Sequence, residues 1–213
     1  FEVRLFTAMT LGLGTLLIVT ITPHAIIPTL ALLLSITLYN LLHKKWNGSL
    51  IFMGLCRALV YCVSATMVAP TIFQTPVWKT LAFFSALLAT YIILLTLIAQ
   101  KEADGKLGYR RWLALAIIPI PYSVDYFTPS DIFFGSYRHH PFTLYITLAL
   151  LALWLLRSAF FIWKTPPKVV PAILGWLSGI CLLDAYFLPR LNVVILMDHP
   201  FLPFLAILCF VLT

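Results

Sequence analysis

Eight apolar runs take up most of this chain, at residues 6–22, 25–42, 50–69, 81–99, 112–128, 142–163, 169–188 and 192–213. A bilayer-crossing helix needs about 20 mostly apolar residues, within a range of about 17–25. Backbone amides and carbonyls in hydrocarbon must be satisfied inside the segment, so runs of this kind fold as helices. Water is excluded as the solvent by charge alone: charged residues make up 10% of the 213, against roughly 25% in a soluble domain. The expected fold class is all-α, a polytopic transmembrane helical bundle forming one transmembrane domain over residues 1–213.

Two joints between runs stand out. The first two runs meet at Thr22-Pro23-His24, which leaves room only for a tight hairpin. The fifth run carries Pro119 and Pro121, and proline removes a helical donor and clashes with the preceding turn. A break or kink is expected there. The chain opens on Phe1 and closes on the apolar "AILCFVLT", so it reads as a fragment of a longer protein.

Alternating the spans across the bilayer sorts the cations. Arg4, Lys44, Lys45, Lys101, Lys106, Arg110, Arg111, Lys164 and Lys168 fall on one side, and only Lys79, Arg138 and Arg190 on the other. Cytoplasmic loops carry the excess of Lys and Arg, so loops 43–49, 100–111 and 164–168 are expected to be cytoplasmic. That bias also explains the net charge of +7 without a nucleic-acid partner. Trp46, Trp78, Tyr109, Trp112, Tyr137 and Trp163 lie near span ends, as interfacial anchors do. The four cysteines lie inside apolar runs, with no CxxC or Cys/His spacing, and read as small apolar side chains.

Chemistry concentrates in two stretches. In "LIAQKEADGKLGYRR" (97–111) a greasy run ends in Gln100, Glu102 and Asp104 beside Lys101, Lys106, Arg110 and Arg111. If the helix continues, Gln100 and Asp104 are four apart and share a face, while Glu102 points away. A carboxylate there suits magnesium, which takes one or two carboxylates with phosphate oxygens and waters. The neighbouring cations suit the phosphates themselves. A solvated loop whose acids moderate a basic patch is the plainer alternative. In "LYNLLHKKWNGSLIFMGLCRALVY" (38–61), Tyr39, Asn40, Lys44 and Lys45 close one span, and Arg57 lies about two turns into the next. An arginine in hydrocarbon ordinarily faces a polar cavity or a partner, snorkelling being the alternative.

In order and spacing, "LYNLLHKK" and "QKEADGKLG" resemble motifs of the UbiA superfamily of intramembrane prenyltransferases. "MGLCR" (53–57) and "GICLLDA" (179–185) are most similar to its EboC-like branch. The resemblance covers nearly the whole chain, from the third helix of the usual bundle onward, with the first aspartate-rich motif preceding residue 1. It implies a UbiA-like bundle that moves an isoprenoid group from a prenyl diphosphate to a lipophilic or aromatic acceptor, with magnesium. Asp104, Gln100 and Glu102 would then face the metal. Asp104, Arg57 and Lys44 would carry catalysis, with Tyr39, Asn40, Lys45, Lys101, Lys106, Arg110 and Arg111 around the substrate. The family's second motif opens on aspartate where this chain has Gln100. That substitution suits the other reading, a non-catalytic isoprenoid-binding or transport protein with a degenerate site.

Other polar residues have plainer explanations. Asp184 is an intramembrane acid, functional by default or a structural partner of Arg157 or of a backbone donor. His139 and His140 are adjacent and lack further metal ligands, so an outer loop accounts for them. The Gly175/Gly179 spacing marks close helix packing. No Ser-His-Asp order, GxGxxG or Walker pattern occurs.

Overall fold

The computed structural model describes residues 2–43, 46–74, 77–100, 108, 111–127, 141–164 and 167–195, and every regular element among them is helical. The helices are α1 (Glu2–Ile21), α2 (Ile26–Leu42), α3 (Leu50–Val68), α4 (Val77–Ala99), α5 (Arg111–Ile117), α6 (Ile120–Phe127), α7 (Pro141–Trp163) and α8 (Val169–Ile195). Five helical stretches are long and apolar enough to cross a membrane: Pro23–Leu42, Leu50–Val68, Trp78–Ala99, Tyr145–Trp163 and Val169–Phe187. Such helices are those of an integral, multi-pass membrane protein. Their surfaces fit the same solvent, because Leu34, Leu153 and Leu174 each stand 60% or more exposed. In water, continuous apolar surface of this kind would drive association; in hydrocarbon it is the outer face.

Hydroxyls inside the spans bond back to their own helices. Thr29 donates to Ala25 O at 2.7 Å, Ser35 to Ala31 O at 2.9 Å and Thr96 to Ile92 O at 2.7 Å. Each satisfies a polar group that hydrocarbon would otherwise leave unpaired. These serines and threonines therefore need no ligand.

The chain packs as two compact units, residues 1–89 and 90–213. In the first, Thr22 takes the extended conformation that a following proline favours, with φ −136° and ψ 86°. A 3-10 turn over Pro23–Ala25 then joins α1 to α2, as the short Thr-Pro-His joint predicts. A second 3-10 turn, Asn47–Ser49, enters α3. Gly48 leaves room there for the Trp46 indole, which a Cβ would displace and whose ring packs edge-on to Phe52 at 6.3 Å. The Cys62 thiol on α3 lies against the Ser85 hydroxyl on α4.

In the second unit the double proline breaks the fifth run, as expected. Pro119 has no N–H to give Leu115 O, and the Ile118 N–H reaches that oxygen instead at 3.3 Å, ending α5. Pro121 is the second residue of α6, where its missing N–H has no intrahelical partner to lose.

The packing of α7 on α8 is the closest in this unit. A Cβ on Gly175 would strike the Ser158 hydroxyl and lie 3.3 Å from Ser158 Cβ; on Gly179 it would meet Tyr91 Oη at 3.3 Å. The glycine pair therefore marks close helix approach. Trp154 Nε1 donates to Gly175 O at 2.6 Å and to Ser178 Oγ at 3.0 Å, and the Tyr91 hydroxyl donates to Trp176 O at 2.6 Å. Tyr91, Trp176 and Tyr186 are fully buried. Because Trp176 O belongs to a helix that already bonds it, Tyr91→Phe is expected to lower stability by only about 0.6 kcal/mol. Unfolding in mixed micelles checks this value.

The seventh and eighth expected runs divide differently from the sequence reading. Helix α8 continues through Pro189 to Ile195, so residues 192–195 belong to it. Residues 196–213, the rest of the eighth run, lie outside the described residues.

Candidate functional site

The expected site residues come from the ends of α2 and α4, the first turns of α3 and the start of α5. In the first unit, Tyr39 is half-buried three residues before the end of α2, its ring stacked on His43 with centroids 5.6 Å apart. Asn40 is exposed, and its carbonyl oxygen lies 3.0 Å from His43 Nδ1. Helix α2 thus ends with an imidazole stacked on an aromatic ring and set against the Asn40 backbone carbonyl. Lys44 and Lys45 follow it and lie outside the described residues.

Arg57 is exposed on α3. It stands seven residues from the start of α3, about 10 Å along the axis, whereas Tyr39 is about 5 Å from the end of α2. Among the described residues, no hydrogen bond or ring contact joins Arg57 to Tyr39 or Asn40. An exposed guanidinium at that depth can meet an anion that enters the half of the span that begins at Leu50.

In the second unit, Gln100 is exposed in the turn that closes α4, its N–H reaching Thr96 O at 3.0 Å. Lys101, Glu102, Asp104, Lys106 and Arg110 lie outside the described residues. Gly108 takes φ +50°, in the left-handed region where a side chain would be strained. Arg111 opens α5 half-buried, and its buried Nε has no hydrogen-bond partner among the described residues.

Among the described residues, no three His, Cys, Asp or Glu side chains come together as a metal site. Gln100 is the described member of the expected magnesium set. Its amide oxygen is a hard donor of the kind magnesium takes, and it brings no charge. The Gln100, Glu102 and Asp104 set therefore suits magnesium in donor type, with fewer charges than three carboxylates would supply.

The Arg157–Asp184 pairing is not what the α7–α8 packing builds. Asp184 is nine residues beyond Gly175, two and a half turns, so it sits on the face of α8 opposite the one that meets Ser158. Arg157 instead lies over two rings, its guanidinium carbon 4.5 Å from the Trp154 centroid and 5.8 Å from that of Phe161. Sequence reasoning counted Lys164, just past the end of this helix, only as a loop cation and missed its ring contacts. Lys164 Nζ stands 5.0 Å from the Phe160 ring and 5.4 Å from that of Phe161. The Arg-x-x-Phe-Phe-x-x-Lys spacing carried the signal.

No protein-family model, no curated protein and no solved structure matches this chain.

Proposed function

We propose that this protein is an intramembrane, UbiA-like prenyltransferase that moves an isoprenoid group from a prenyl diphosphate to a lipophilic or aromatic acceptor. The observation that carries the reading is the position of its two motif-bearing stretches. "LYNLLHKK" closes membrane-length α2, and "QKEADGKLG" begins at the turn that closes membrane-length α4. The cation bias expected from the sequence assigns the basic loops 43–49, 100–111 and 164–168, in which both stretches end, to one side. By the positive-inside bias that side is cytoplasmic.

The chemistry follows from the residue types. The allylic C–O bond breaks, diphosphate leaves with the electron pair, and the acceptor captures the allylic cation and releases a proton. Asp104, with Gln100 and Glu102, would hold magnesium, which when bound neutralises part of the diphosphate charge. Lys44, Lys45, Lys101, Lys106, Arg110 and Arg111 supply fixed positive charge for the leaving group. Arg57 meets the diphosphate from within the span. Tyr39 and Asn40 border the isoprenoid path, whose tail is suited to hydrocarbon surroundings.

Gln100 specifically favours a second reading, a carrier that binds isoprenoid diphosphates without cleaving them. A carboxylate at this position separates the two. In the full-length protein, Gln100→Asp is expected to tighten divalent binding roughly tenfold, since affinity rises with ligand charge. Manganese, as a surrogate, reports this by electron paramagnetic resonance titration alongside diphosphate release. Unchanged manganese affinity would remove Gln100 from the metal site. Tighter metal binding with no diphosphate release would favour the carrier.

A further inference from the structure

Arg157 lies on α7 and Lys164 directly follows its last residue, and the two mark one stripe at the end of the helix: both cations lie over the Phe161 ring, at 5.8 and 5.4 Å from its centroid. Both are exposed, and Phe160 and Phe161 lie between them. Ring faces hold both cations in place, and Trp154 is itself fixed by its N–H bonds to Gly175 O and Ser178 Oγ. Neither cation makes an ion pair among the described residues. Toward the middle of α7 the stripe continues as Leu153, 66% exposed, and Leu150, 40% exposed. At its basic end Trp163 packs edge-on to Trp112, with centroids 5.2 Å apart, as rings do at headgroup level.

A cation well inside an apolar span, exposed and without a protein anion, is stabilised by an anion brought from outside. The surface here is positive at one end and aliphatic at the other, which is the complement of an anionic lipid. We infer that this stripe binds an anionic glycerophospholipid, its phosphate between Arg157 and Lys164 and its acyl chains along Leu153 and Leu150. Lys168, exposed on the α7–α8 turn that its own N–H closes at 2.9 Å to Phe161 O, adds a third charge at the rim. The site uses none of the residues assigned to prenyl transfer and stands whether or not that reading does.

The test uses the full-length protein in nanodiscs of equal parts phosphatidylcholine and phosphatidylglycerol, released into mild detergent. Native mass spectrometry then counts the retained lipid. Phosphatidylglycerol is expected to be retained over phosphatidylcholine, and R157Q/K164Q is expected to reduce that preference about thirtyfold, from the loss of two charges. R157K/K164R should keep the preference, and so should K79Q, which lies on another helix. If R157Q/K164Q does not fold, K164Q alone should reduce the preference about fivefold. An unchanged preference in the charge-removing variants overturns the inference. Displacement of the lipid by inorganic phosphate alone also overturns it, because the site would then take a soluble anion.

Discussion

Gly175→Leu is expected to destabilise the protein by about 3–5 kcal/mol, from overpacking and lost hydrogen bonds. Even one added carbon collides with the Ser158 hydroxyl, and the Ser158 Cβ stands only 3.3 Å from where it would lie. Leucine would push α7 and α8 apart along a seam where Trp154 donates to Gly175 O at 2.6 Å and to Ser178 Oγ at 3.0 Å. Association of helices in lipid depends on close packing and interhelical hydrogen bonds, since hydrocarbon gives no hydrophobic drive between them. Gly175→Ala is the milder form. Its loss should be largely restored by Ser158→Ala, which removes the struck atom and leaves the two substitutions coupled by about 1 kcal/mol or more. Reversible unfolding of the four variants in mixed micelles measures this. Additive losses would mean that Gly175 and Ser158 do not meet.

The second large effect concerns chemistry. Asp104→Asn and Arg57→Ala, each in the full-length protein, are expected to reduce magnesium-dependent diphosphate release by about a hundredfold to a thousandfold, the scale on which removing one electrostatic stabiliser slows a reaction. The two should fail differently. Asp104→Asn removes a charge from the metal set, so higher magnesium should recover part of the rate. On the proposed reading Arg57→Ala removes a cation that would meet the diphosphate from α3, where Arg57 is exposed, and magnesium should not recover it. Arg57→Lys should retain more activity than alanine because it keeps the charge while losing the planar fork. Equal rates in all variants would remove these residues from the reaction.

Much of the fold was legible because hydrocarbon imposes local rules. Run length identified the helices that became α2, α3, α4, α7 and α8. The Thr22-Pro23 joint and the Pro119 break follow from proline stereochemistry within a few residues. Four-residue glycine spacing likewise marked the α7–α8 seam. The passage of α8 through Pro189 was not legible, because whether a helix survives a lost N–H depends on what replaces the bond.

Of the alternatives open for Asp184, pairing with Arg157 could not be judged from composition for a related reason. Arg157 and Asp184 look complementary in composition, yet helix rotation sets Asp184 on the face away from the α7 seam. At the candidate site, residue types and their position at helix ends could be read directly. Convergence is a different property, decided by packing between segments distant in sequence, and periodicity carries no record of it.

The most direct measurement is diphosphate release by the full-length wild-type protein in nanodiscs, with magnesium, an aromatic acceptor and prenyl diphosphates of graded length. Release that needs both magnesium and the acceptor, matched by prenylated product, is the predicted result. Tight binding of every donor with no diphosphate released at any length would contradict prenyl transfer and leave a carrier in its place.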